Sequence, residues 1–345
     1  MRVRAFILLA LVPLACRAQP RAERVPAGDT GGVTAVDFHG WPATALRNGQ
    51  TEIVVVPAIG RVMRLGFAAD AAGSDPLWRH GQLGPTLAAD ENGWINYGGD
   101  KAWPAPQTDW QRMVGKGWPP PATFDATAHA SSLKDSTIEM LSPVDPAYGL
   151  RVRRTVKLLD DVAFIDTVYE KAEGPPVRVA VWTITQLVSP DRMFALLPER
   201  SAFDGGHRTL LPAPPKDLKA DGRLLGLARD TVEKTMIASD AEALLWVGPG
   251  RDLVIENLGT AVGAGERWHP TDPAAPRVGG AHAQIYTSPD GAEPYVELEL
   301  LGPLVDLGPG QRAKMSVRYR LLRRQEADAA AEARRVFADE LGRTR

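Results

Sequence analysis

Two glutamates near the end of the chain, Glu297 and Glu299 in "YVELELLG", have a spacing suited to proton chemistry. Successive side chains of an extended strand point to opposite faces, so Tyr295, Glu297, Glu299 and Leu301 fall together, opposite Val296, Leu298 and Leu300. The apolar set is expected inside, which leaves two carboxylates about 7 Å apart on the other face. That face is either a solvated surface or a site. A second titratable pair, Asp100 and Lys101, lies in "NYGGDKAWPAPQTDW", residues 96–110, which follows neither a strand period nor a helix period. Inside a Trp-lined cleft such a pair would be partly desolvated, and desolvated groups shift their pKa readily. The alternative is a pair that merely ties down a loop. Asp100 together with Glu297 or Glu299 would also furnish the two opposed carboxylates of glycoside hydrolysis. Among the six histidines, His80 in "LWRHG" and His282 in "GGAHAQIY" stand close enough to these stretches to reach a site, against an ordinary surface or capping role.

Other chemistries lack their residues. The chain has no Gly-x-Ser-x-Gly elbow, no pair of cysteines and no His-Glu-x-x-His, so serine-hydrolase and zinc readings fail. The Gly-rich pieces "GGDK" and "VGGAH" are not followed by helical patterns and do not suggest a phosphate cradle. Clustered carboxylates can take Ca2+, but no EF-hand spacing occurs, and no cofactor or metal is expected. A formal charge of -2, without a long basic run, argues against nucleic acid as a partner.

The elements that must position these residues are strands. Segments such as "TEIVVVPAIG", "LRVRRTVKLL", "VAFIDTVYE", "VRVAVWTITQL", "ALLWVG" and "AKMSVRYRLL" are rich in β-branched and aromatic residues and are bounded by Gly, Pro, Asn or Asp. Leu150 to Leu158 and Val162 to Glu170 flank "LDD" at hairpin separation. No long amphipathic helix is expected between residues 32 and 320. The fold class is therefore all-β, a large antiparallel sandwich over residues 32–322. A C-terminal helix is expected within 323–345, with Ala329, Ala333, Val336, Phe337 and Leu341 on one face and Gly342 as its stop.

The first residues, "MRVRAFILLALVPLAC", combine Arg2 and Arg4 with an apolar run and read as a signal peptide over 1–18, followed by a flexible tether over 19–31. Cys16 is the chain's one cysteine. Either it is the lipidated residue of a bacterial lipoprotein, giving a membrane anchor, or it is removed by cleavage after Ala18. In both cases the protein is expected to be exported, to the periplasm or the outer membrane.

Six of the nine Trp precede residue 119, and residues 93–121 are expected to form a long irregular segment. Its rings are either a packed cover or platforms presented to a ligand. Sugars offer an apolar C–H face fringed by hydroxyls, which aromatic rings flanked by Asn96, Asp100, Lys101 and Gln107 would suit.

"NGQTEIVVVPAIGRVMRLGF", "WINYGGDKAWPAPQTDW" with "GWPPP", "VWTITQL" and "YVELELLGPLVDLGPGQ" resemble the bacterial family known as domain of unknown function 4380. That family is similar in turn to galactose mutarotase-like proteins. The resemblance runs from about Asn48 to Tyr319 and implies a β-supersandwich that binds or acts on carbohydrate. In aldose epimerases a late-strand Glu is the base and a middle-strand His the acid, which implies Glu297 or Glu299 as base here. The middle strand carries Trp182, Ile184 and Gln186 on one side and Thr183 and Thr185 on the other, and has no His. Gln186 can hold a hydroxyl but cannot deliver a proton. The expectation is thus an exported carbohydrate-recognising protein. Trp103, Trp110 and Trp118 would stack on the ligand, and Asn96, Asp100, Lys101, Gln107, Gln186 and His282 would bond it. The alternatives are an epimerase-like enzyme and a structural envelope lipoprotein.

Overall fold

Alternating burial builds the sheets. In the strand Leu150–Leu159 the side chains of Leu150, Val152, Arg154, Val156 and Leu158 point inward, with Arg151, Thr155 and Lys157 less buried between them. This strand pairs antiparallel with Val162–Lys171. Asp160 and Asp161 close the hairpin with positive φ, a conformation that Asp tolerates better than most residues. Asp161 also accepts the backbone N–H groups of Gln50 (2.7 Å) and Thr51 (3.1 Å), tying this hairpin to the turn of another.

The computed structural model describes residues 32–71, 73–258, 267–268, 280–291 and 293–342. The expected signal peptide, Cys16 and the tether lie outside them. Among the described residues the strands form two antiparallel sheets, of twelve and ten strands. In the first sheet Asp100–Ala105, Val177–Leu187, Val296–Leu301 and Ala283–Thr287 run side by side. In the second, Arg251–Asn257, Arg312–Arg323, Val162–Lys171 and Leu150–Leu159 do. The core between them takes Val179, Val181, Ile285, Leu298 and Leu300 from the first sheet and Val152, Ile165, Met315 and Val317 from the second. This is the all-β antiparallel sandwich expected.

The expected helix is present but shorter than its segment. The last strand runs on to Arg323, and helices occupy Ala329–Val336 and Ala338–Gly342. Asp328 caps the first by accepting the Ala331 N–H at 2.7 Å. Ala333 and Phe337 are fully buried against Phe194, Leu245, Val247 and Val254.

The expectation of an irregular segment over 93–121 needs correction. Asp100–Ala105 is a central strand, fully buried, paired with Val177–Leu187 from Asp100↔Thr185 to Ala105↔Ala180. Lys, Trp and two Pro within a few residues mask a strand whose two faces are both covered, so no polar and apolar alternation remains to be read. Two short helices, Trp110–Val114 and Ala122–Asp125, follow it.

Candidate functional site

The register of four neighbouring strands assembles the site. Lys101 pairs with Ile184, Trp103 with Trp182, Gln186 with Glu297, Ile184 with Glu299, and Glu297 with Tyr286. Paired residues share a face, so Lys101, Trp103, Trp182, Gln186, Glu297, Glu299 and Tyr286 all project to the side turned away from the second sheet. The apolar partners Val296, Leu298 and Leu300 fill the core, as the alternation of "YVELELLG" requires. Glu297 and Glu299 are not on a solvated face, however. Their side chains are 12% exposed for Glu297 and, for the whole residue of Glu299, 1%.

Lys101 is equally buried, and its Nζ lies 3.6 Å from Glu297 Oε1 and 4.7 Å from the centre of the Trp103 ring. No hydrogen bond to it closes among the described residues. Glu299 Oε2 accepts the indole N–H of Trp182 at 2.7 Å. Burial holds the Glu299 carboxyl well above the usual carboxylate range, and the neighbouring Glu297 charge pushes the same way. Burial also raises Glu297, opposed by Lys101 and the amide of Gln186. Burial brings the Lys101 ammonium down to about 8, with Glu297 resisting. Three titratable groups are thereby shifted toward neutrality in one cluster, Glu299 holding its proton more tightly than Glu297. Such opposed shifts are what acid–base chemistry at neutral pH requires.

Gln186 stands beside Glu297 and Tyr295, yet neither of its amide atoms closes a hydrogen bond of ordinary geometry. It occupies the middle-strand face, and that strand carries no histidine. Tyr295 packs on Trp78 (5.0 Å) and Tyr286 (6.0 Å) and walls one side.

The ring system behind Lys101 has no local signature in the chain. Asp125 is its hub: one carboxylate oxygen accepts from Arg61 (2.6 Å) and Trp103 (2.8 Å), and the other from Trp94 (3.0 Å). Arg61 is fully buried and also donates to the carbonyl of Gly98 at 2.7 Å. Arg61 and Asp125 are 64 residues apart, and Asp125 is 22 residues from Trp103 and 31 from Trp94, so no local pattern marks them. For Trp182 and Tyr295 the strand alternation was a usable signal.

Asp100, expected beside Lys101 in a cleft, is on the other side of its strand. It lies between the sheets, paired with Arg154 and accepting from Tyr319 (2.6 Å) and Thr185 (3.0 Å). Adjacent strand residues cannot share a face, so Asp100 is an inter-sheet tie and not a partner of the glutamates. Trp110 is likewise no platform: it is completely buried and donates to the Pro104 carbonyl at 2.8 Å. Trp103 is 5% exposed and meets Trp94, Trp110, Trp118 and Trp182 edge to face. Trp118, at 37%, is the ring of this group that reaches solvent most. Gln107 is exposed in a short turn beyond the strand, and His282 immediately precedes the strand Ala283–Thr287, its backbone N–H bonded to the Ser239 carbonyl and its own carbonyl accepting from Leu301, near Asp240. Asn96 is buried and bonds Glu293 at 2.8 Å. With His80, Asp90 and Trp94, these two residues line a cleft of about 280 Å³. Among the described residues no cluster of His, Cys, Asp and Glu suits a metal ion.

No protein-family model matches the chain and no curated protein matches it by sequence, so the likeness to the 4380 family rests on its motif pieces. Solved structures do match its fold. A galactose mutarotase-like protein from Lactobacillus casei superposes with a TM-score of 0.54 at 11% identity, over 81% of this chain and 99% of that one. A putative aldose 1-epimerase from Escherichia coli K12 gives 0.52 at 13%, over 85% and 100%. A Synechocystis protein gives 0.52 at 10%, over 84% and 99%. The chain therefore has the galactose mutarotase-like fold.

Proposed function

We propose that this protein recognises a carbohydrate on the outer face of its first sheet, at the group formed by Glu297, Glu299, Lys101 and Gln186. The observation that carries the reading is a pair of buried carboxyls and a buried lysine gathered on one face of the sheet, with unpartnered amide atoms beside them. Burying three ionisable groups costs stability unless something repays it, and ligand recognition is the usual return. Gln186 and Lys101 supply donors to hydroxyls, Glu297 supplies an acceptor, and Trp118 with Trp94 forms the more open part of the aromatic wall. Structures of this fold whose descriptions name mutarotase and aldose epimerase are consistent with a sugar ligand.

Two buried carboxyls held above the usual carboxylate range favour a second reading, catalysis at an anomeric centre. Ring opening needs one group to take the anomeric hydroxyl proton and another to protonate the ring oxygen. Glu297 would be the base, and Glu299 or Lys101 the acid in place of the absent histidine. Titration with mono- and oligosaccharides, followed by Trp fluorescence, tests binding. Polarimetry on any sugar that binds, with Glu297→Gln as the comparison, tests turnover. No response to any sugar would end the first reading, and anomer interchange at the buffer rate would end the second.

We further propose that the chain is an exported member of the 4380 family, anchored through Cys16. Labelling with radioactive palmitate in a bacterial host should mark the wild type and not Cys16→Ser.

A further inference from the structure

The cleft lined by His80, Leu87, Ala88, Ala89, Asp90, Trp94, Asn96 and Glu293 shares Trp94 with the aromatic wall described above, and its other lining residues take no part in the chemistry proposed there. Its size is near the lower end of small-molecule sites. Its donors and acceptors do not balance. The Asn96 side-chain N–H2 donates to Glu293 Oε2 at 2.8 Å. Because a carboxylate only accepts, that bond fixes which way the amide faces. Asn96 Oδ1 is then left in a residue only 4% exposed, without a hydrogen-bond partner. The Trp94 N–H is already given to Asp125 at 3.0 Å. His80 Nδ1 accepts from the Gln82 N–H, so a neutral ring carries its proton on Nε2, which lies 4.0 Å from Glu293 Oε1. Two side-chain donors of the lining are thus committed to protein acceptors, one Asn96 N–H to Glu293 and the Trp94 N–H to Asp125.

The remaining acceptors are Asn96 Oδ1 and the carboxylates of Asp90 and Glu293. Asp90 is held below the ordinary carboxylate range by the N–H groups of Trp94 and Asn92, which both bond its Oδ1, and so it stays charged. No Lys or Arg lines the cleft. The group that suits this lining is compact, positively charged and rich in donors. A protonated primary amine meets all three conditions, since its three N–H bonds to anionic and amide oxygens are charge-assisted. The half-buried Trp94 ring and the apolar wall of Leu87, Ala88 and Ala89 suit a small ring bearing that amine. Resting on the carbohydrate reading above, we infer that this cleft is a subsite for the ammonium group of an amino sugar.

The test is calorimetric titration of the mature protein at neutral pH with glucosamine, glucose, N-acetylglucosamine and cyclohexylamine. Glucosamine is expected to bind at least about tenfold more tightly than glucose or N-acetylglucosamine, in which the charge is absent. Glu293→Gln, which keeps the shape and removes the charge, should erase that preference, and Asn96→Leu should weaken glucosamine about tenfold. Equal affinity for the three sugars would overturn the amine inference and leave the carbohydrate reading standing. Cyclohexylamine binding as tightly as glucosamine would support the amine subsite and remove the sugar. No binding by any of the four would overturn both. The wild-type comparison decides the matter even where a variant fails to fold.

Discussion

Replacing Lys101 by Met tests whether the lysine is held in the site at a cost. Met has a similar length, keeps the contact with the Trp103 ring and removes the charge. In the folded protein burial brings the Lys101 ammonium down to about 8, from an ordinary 10.5. A lysine whose folded pKa is lowered sheds its proton in the native state first. Its penalty is therefore complete below about 8 and disappears as pH rises toward 10.5. At about 1.4 kcal/mol per pH unit, that window carries on the order of 3 kcal/mol. Lys101 is 1% exposed, so solvent does not discount the figure. Urea melts followed by Trp fluorescence at several pH values measure the slope directly. Tyrosines such as the half-buried Tyr286, whose phenol is raised by desolvation, lower stability at the alkaline end in both proteins, so the difference between wild type and variant is the informative quantity. In the variant, Glu297 loses the counter-charge that opposes its burial, so its carboxyl is raised further. Stability of the wild type relative to Lys101→Met should therefore climb between pH 8 and 10.5. Parallel curves across that window would refute a desolvated, functionally strained Lys101.

Glu299→Gln keeps an oxygen to accept the Trp182 N–H and removes the proton-holding carboxyl. A raised carboxyl contributes stability below the ordinary carboxylate range that is lost as pH rises through its folded pKa, so this variant should gain on the wild type toward neutral pH while losing any turnover; melts showing no gain would count against the raised carboxyl. At the helix docked on the second sheet, burial and the neighbouring Glu332 push Asp252 up to about 8. Asp252→Asn should abolish a decline of roughly 1.4 kcal/mol per pH unit that the wild type shows between the ordinary carboxyl range and pH 8, read from the same melts. Trp110→Ala should cost about 3–5 kcal/mol because that ring is wholly enclosed. Trp118→Ala should cost far less and instead weaken sugar binding, and equal losses of stability would contradict the assigned roles.

Sequence periodicity by itself determined the all-β class, the hairpin closed by Asp160 and Asp161, the apolar face of the C-terminal helix, and the shared face of Glu297 and Glu299. These are consequences of neighbouring residues, and neighbouring residues are what a sequence displays. It also placed Trp182 with Gln186, apart from Thr183 and Thr185. It misplaced the stretch around Lys101, because a strand covered on both faces carries no polar and apolar alternation. Only the tertiary structure decided that Asp100 belongs between the sheets with Arg154 and Tyr319. Packing likewise decided that Trp110 is filler, and that Arg61 and Asp125 anchor the rings behind Lys101. The pKa values of the glutamates and the lysine belong to the same class. Desolvation and charge proximity arise from strands almost 200 residues apart being laid side by side, and register across a sheet is a long-range property that no local pattern encodes.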